Sequence, residues 1–145
     1  MNRSCLIHLA DAVAAHLNAG QYSQPIVVTR AYRPMFELAY AGSEALVTVI
    51  PKSLEVTGAS RVDSFFNCAI DVGIQQKVDA DDRDVLDSLM RLVEEITDQL
   101  RFQMLDAFPS ARWLSIENDP VFVPDHLVKE RVFTSVLTVR YRLRR

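Results

Sequence analysis

Apolar and polar positions alternate with a period of two in one stretch of this chain and recur at helical spacing in two others. The clearest stretch is SFFNCAIDVGIQQK, in which Phe66, Cys68, Ile70, Val72 and Ile74 alternate with Asn67, Asp71, Gly73 and Gln75. Alternation sends successive side chains to opposite faces of a sheet, so a strand with one packed face is predicted over residues 65–76. The chain then passes through the acid-rich VDADD into VLDSLMRLVEEITDQL. Leu86, Leu89, Val93, Ile96, Leu100 and Met104 form one stripe there, with Arg91, Glu94, Glu95 and Asp98 facing away. This helix is expected to end near Ala107, ahead of Pro109. Asp79, Asp81, Asp82 and Asp84 crowd its start, where carboxylates cap free N–H groups and suit the positive end of the helix dipole.

A second helix is predicted over residues 4–19, since Leu6, Leu9, Ala10, Val13 and Leu17 share one face. Ser4 or Asn2 can cap it, and Gly20 is a natural stop. PIVVTRAY, between Pro25 and Pro34, predicts a strand over 26–32, with MFEL as a weak continuation. After Gly42 and Ser43, ALVTVIP predicts a strand over 45–50. LEVTGASR reads as a separate short strand that runs into a polar tip at 58–63. RWLSIEND is a further strand, PVFVPDH an irregular crossing and HLVKER one helical turn. VFTSVLTVRYRLRR closes the chain as a strand. Phe133, Leu137, Val139, Tyr141 and Leu143 take one face of it, and Val132, Thr134, Val136, Thr138, Arg140 and Arg142 the other. The order α-β-β-β-β-α-β-β implies an α+β fold, two main helices layered on a mixed, largely antiparallel sheet. No repeat or linker divides the chain, so residues 1–145 read as one domain.

Composition narrows the functional classes. At 145 residues the chain can bury a core without disulfides or metal. A net charge of -3 argues against a general nucleic-acid binder. Cys5 and Cys68 lie far apart in sequence, and Cys68 reads as a buried, reduced thiol. His8 and Asp11 interrupt the first apolar run, so it does not read as a signal peptide. No stretch reaches the roughly 18 apolar residues of a membrane span. The expectation is a chain that is cytoplasmic where it is made.

Catalytic patterns are missing. The four glycines form neither GxGxxG nor a phosphate loop, and no serine sits in GxSxG. His8, His16 and His126 have no metal or triad spacing, and there is no CxxC or HExxH. The aspartates at 79–84 lack the Gly and closing Glu of a calcium loop. No enzyme, cofactor or metal is expected. The local charge feature is Arg140, Arg142, Arg144 and Arg145; the even-numbered three share a strand face. That face is either a solvated edge that discourages sticky pairing or a contact surface for an acidic partner or passing DNA. Arg30 and Arg33 near the first strand, and Gly58, Arg61 and Asp63 in the tip, complete the candidate interface set.

The segments together resemble the tail terminator proteins of long-tailed bacteriophages, the lambda-like minor tail group. The resemblance lies in LADAVAAHLNAG, AYRPMFEL, VTVIPKSLEV, SFFNCAIDVGIQQK leading to VLDSLMRLVEEITDQL, and VFTSVLTVRYR. It implies a homo-hexameric ring on the head-proximal end of the tail tube. Such a ring stops tube polymerisation and offers a docking face to the head or neck. The implied partners are further copies, the tail tube protein, a neck or head-completion protein and genomic DNA passing through the channel, with no membrane. The implied location is the virion tail, with assembly in the host cytoplasm. The tip would reach a neighbour or the tube, and the arginine strand would face a neighbour or the DNA. Three other readings stand beside this one: a neck or head-completion protein; a small dimeric α+β domain that binds a ligand or serves an enzyme as accessory; and, as the weakest, an enzyme whose cluster would join His8 with Asp11 and one of the carboxylates at 79–84.

Overall fold

The first apolar stripe folds as α1, Cys5–Asn18, and buries Leu9, Ala10, Ala12, Val13 and Leu17 on one face. The structure, a computed structural model, describes residues 4–32, 44–79 and 81–145. Asn2, Arg33 and the MFEL segment lie outside the described residues. β1 is Ile26–Arg30, β2 Ala45–Gly58 and β3 Ser64–Lys77. They are followed by α2 (Arg83–Leu100), β4 (Arg112–Asn118), α3 (Pro124–Lys129) and β5 (Val132–Arg144). The strands make one five-stranded sheet in the order β1-β2-β3-β5-β4. β1 runs parallel to β2, and the other neighbouring pairs are antiparallel. The fold is α+β with a mixed sheet, as the sequence implies.

The element order differs in two places: a short helix, α3, stands between the last two strands, and two expected strands merge into one. The two strands expected around Pro51 are a single strand of 14 residues. Ala31 N donates to Val49 O at 2.9 Å, which continues the β1–β2 ladder by one bond. The next bond of a parallel ladder would need an N–H at position 51, and proline has none. Pro51 therefore ends the pairing with β1 while the other side of β2 goes on pairing with β3, from Pro51↔Ile70 to Gly58↔Ser64. A bulge between Pro51 and Ser53 accompanies the change. The order is thus α-β-β-β-α-β-α-β.

α2 also stops earlier than its stripe suggests, at Leu100 rather than near Ala107. Arg101 is extended and Phe102 has φ 57, a left-handed conformation that ends a helix. Met104, expected in the buried stripe, is 60% exposed, and Leu105 is buried in its place. Leu105 is held in a turn by Phe108 N donating to its carbonyl at 3.0 Å. The start of α2 follows expectation: Asp82 is the N-cap and accepts from Val85 N at 3.2 Å. α3 begins at Pro124, two residues before the predicted turn, because a proline at the first helical position has no N–H to waste.

One face of the sheet carries the core. Val47, Val49, Ile70, Val72, Ile74, Leu137, Val139 and Tyr141 are buried with the stripes of α1 and α2. The parity predicted for β3 and β5 holds, with Cys68 on the core side at 1% exposure. On the opposite face α3 packs over the start of β5, where His126 Nδ1 lies 2.9 Å from Thr134 Oγ1. α1 and α2 are clasped at their C-terminal ends. Gln99 Nε2 donates to His16 O at 3.1 Å, and Tyr22 Oη donates to Leu17 O at 2.6 Å.

Gly20 sits inside this clasp because a Cβ there would lie 2.6 Å from Tyr22 Oη and 2.8 Å from Gln99 Cδ. Gly20→Ala is expected to destabilise the fold by about 1–3 kcal/mol, the usual cost of forcing volume into a packed site. Denaturant unfolding measures it, and an unchanged midpoint would contradict the clasp.

Burial pushes the Cys68 thiol up from 9.0 to about 11, with Cys5 beside it adding to the shift. Burial, and then Glu95, pushes Tyr22 from 10.0 to about 12. Both groups are neutral when protonated, and the unfolded chain releases these protons at the ordinary values. The contribution of Cys68 is therefore fully present below pH 9.0 and is lost as pH rises from 9.0 to about 11. That of Tyr22 is lost from 10.0 to about 12. Melting temperature against pH should show this decline, and Cys68→Ala should flatten its first part. A profile that is level over that window in the wild-type chain would contradict the burial argument.

Candidate assembly interface

Beyond Pro51 the sheet continues past β1 as an arm built from the later half of β2, the first half of β3 and the end of β5. Its tip is a closed turn. Ala59 N and Ser60 N donate to Asp63 O, and Ser60 Oγ accepts from Val62 N and Asp63 N. Arg61 and Val62 are left exposed at the apex, Val62 at 90%. Gly58 is not required for space, since a Cβ there would meet nothing within 4 Å.

The register brings the tip and the arginine strand together. Arg144 pairs with Phe65, Arg142 with Asn67 and Arg140 with Ala69 across β3. Arg144 Nε donates to Asp63 Oδ2 at 3.0 Å, so the end of β5 holds the tip. Arg142 Nε donates to Asn67 Oδ1 at 2.8 Å, and its guanidinium lies 4.5 Å over the Phe65 ring. Asn67 Nδ2 in turn donates to Thr57 Oγ1 at 3.4 Å. Arg140 is exposed. Arg30 is elsewhere: it pairs with Asp11 of α1 and lies 5.4 Å over the Tyr32 ring. Hydrogen bonding to Tyr32, and then Asp11, holds its pKa above the ordinary value. Arg30 thus ties α1 to β1 and takes no part in the arm. Arg33 lies outside the described residues.

The sequence reading missed two basic residues on this face. Arg112 of β4 stands opposite Arg142, and Lys52 reaches Asp71 at 3.6 Å from the bulge of β2. Only the sheet order places them there. Glu55 shares the face through its pairing with Asn67, and Glu117 through its pairing with Thr138. Interleaved acids make this a mixed surface, which suits a charged protein partner better than the uniformly basic track that phosphate neutralisation needs.

The helix-side face adds apolar surface at both sheet edges. Beside β4, Phe102 is 78% exposed and its ring centroid lies 4.7 Å from that of Trp113. With Met104, Pro109, Arg112 and Leu114 these two line an open groove of about 560 Å³. At the other edge Leu54 and Val56 stand 42% and 52% exposed on the arm. Period-two parity predicts which face these two residues take, but not that no helix among the described residues covers them.

The histidines are engaged by nearby groups. His8 Nε2 lies 3.0 Å from Ala107 O and its ring stacks on Phe108, while His16 Nε2 lies 2.8 Å from Gln99 O. His8 thus meets the loop after α2, not the aspartates before it. Among the described residues no group of three or more His, Cys, Asp or Glu is placed to hold a metal ion. No helix among them is long and apolar enough to cross a membrane.

No family model matches the chain, and no curated protein matches it. Among solved structures it is similar to the sheath/tube terminator, in the extended state, of an extracellular contractile injection system, PVC. The TM-score is 0.45 and the identity 16%, over 99% of this chain. The chain spans 58% of the length of that protein.

Asp63→Ala should cost under about 1 kcal/mol, because the Arg144–Asp63 pair is exposed to solvent. It should nonetheless speed trypsin cleavage after Arg61 by loosening the tip. Unaltered cleavage in the variant would mean that the backbone turn alone holds the apex.

Proposed function

We propose that this chain is a structural subunit of a bacteriophage tail that assembles into a ring and caps the head-proximal end of the tail tube. Two supports are independent. The segment pattern resembles tail terminators from α1 to the last strand. The sheet also has two different open edges, β4 on one side and β2 beyond Pro51 on the other, and this observation carries the reading. Among the described residues no strand covers either edge. A subunit with two unlike surfaces joins head to tail, and head-to-tail contacts close into a ring when the rotation is right.

In this role the chain performs no catalysis. The partners would be further copies, the tail tube protein and a neck protein. The mixed face with Arg140, Arg142, Arg144 and Arg112 would meet a charged protein surface. Assembly would take place in the host cytoplasm and the product would reside in the virion tail. The open groove at Trp113 is the one observation that favours a second reading, a dimeric ligand-binding domain.

Light scattering at low and high concentration, with negative-stain imaging and a tube-elongation assay, separates these readings. The expected result is closed rings, in solution or on added tail tubes, together with arrest of tube growth. A stable dimer without rings and without effect on tubes would overturn the proposal. It would favour the second reading if apolar ligands also changed the fluorescence of Trp113, the chain's single tryptophan.

A further inference from the structure

We infer that the arm of one copy docks on the Trp113 groove of the next, with the outer edge of β2 beyond Pro51 running antiparallel to the outer edge of β4. The inference rests on the ring reading and names the contact that would build it.

The register across the sheet carries the argument. Leu54 pairs with Cys68, Cys68 with Tyr141, and Tyr141 with Trp113. Leu54 and Trp113 therefore stand at the same height on the same sheet face, at opposite edges. Glu55 pairs with Asn67, Asn67 with Arg142, and Arg142 with Arg112. Glu55 and Arg112 likewise share a height, on the other face. Rotation about an axis along the strands preserves height. It would bring Leu54 and Val56 of one copy to Trp113, Phe102 and Met104 of the next, and Glu55 to Arg112.

Strand direction agrees. β2, β3, β5 and β4 alternate in direction, so a rotated neighbour presents its β2 antiparallel to β4. In that orientation Lys52 falls toward Glu117 while Glu55 meets Arg112. A parallel approach would need the neighbour turned over, which puts Glu55 and Lys52 on the face away from Arg112 and Glu117 and Leu54 on the face away from Trp113, so every one of these pairings is lost. Pro51 limits the free edge at its upper end, and the bulges of β2 and β4 make it selective in the way edge strands are protected from indiscriminate pairing. At the receiving side Phe102 combines a left-handed backbone with 78% exposure. A bulky residue held in that conformation and displayed to solvent is the kind of strain that marks a functional contact.

The test mixes two single variants of the full chain, Glu55→Cys and Arg112→Cys, under mild oxidation, with wild-type chain as the control for Cys5 and Cys68. The expected product is a covalent pair of the two variants, with neither alone yielding one. The double variant should give a ladder that ends at the ring size. Disulfides between two copies of the same single variant, or no cross-link in a mixture that assembles, would overturn the inference. A charge exchange keeps the test decisive if the cysteine variants assemble poorly. Glu55→Arg and Arg112→Glu should each lower the assembled fraction by about tenfold, and combining them should restore it. No effect of either single reversal would overturn the contact. Wild-type rings with neither signature would leave the ring reading standing and remove only this contact. Wild-type chain that never forms rings, alone or on tubes, would remove both.

Discussion

The pairing of β1 with β2 ends where position 51 offers no N–H, and the lower half of the molecule follows from that. Had the ladder continued, β1 would flank β2 along more of its length. Instead β2 keeps its partner on one side and, among the described residues, carries an open edge on the other. β3 and β5 match it, at 14 and 13 residues, so the arm stays a hydrogen-bonded sheet where no helix among the described residues covers it. The helices stop above it, which is why Leu54 and Val56 stand in solvent while Val47 and Val49, on the same strand, have 0% exposure.

An arm of this kind is useful as a contact surface only if it is stiff. Cross-strand pairs supply the stiffness. Arg142 is held by Asn67 and the Phe65 ring, Asn67 by Thr57, and the tip by Arg144 through Asp63. Each exposed pair contributes little to folding, because solvent screens it. Together they fix rotamers that would otherwise have to be ordered on docking, so the cost of association falls. The same arginines that look in isolation like a basic track are thus mostly arranged by acids and amides of their own chain. The rest of the fold is tied separately: α1 to β1 by Arg30 and Asp11, and α1 to α2 by the close packing around Gly20.

Local sequence was sufficient wherever a residue's neighbours along the chain decide its fate. The parity of Phe66 to Ile74 and of Phe133 to Leu143 follows from the pleat alone. The stripe of α1, the N-cap at Asp82 and the burial of Cys68 follow in the same way. These determined the α+β class, the main helices and the identity of the core face. The resemblance to tail terminators rested on the same segments, and so it left open which neighbour the tip and the arginine strand would each meet.

Tertiary structure decided the rest, because the deciding partners are distant in sequence. Pro51 reads locally as a break, yet one strand passes through it, since the lost bond falls on the side where β1 was ending. Met104 fits the helical period, but Leu105 takes the buried place, so α2 stops at Leu100 and Phe102 with Met104 become surface. Arg112 was unremarked in sequence, and the order β3-β5-β4 sets it beside Arg142. Periodicity reports which way a side chain faces. It does not report what stands across from it or where cover ends, because those depend on hydrogen bonds and packing between segments that sequence keeps apart.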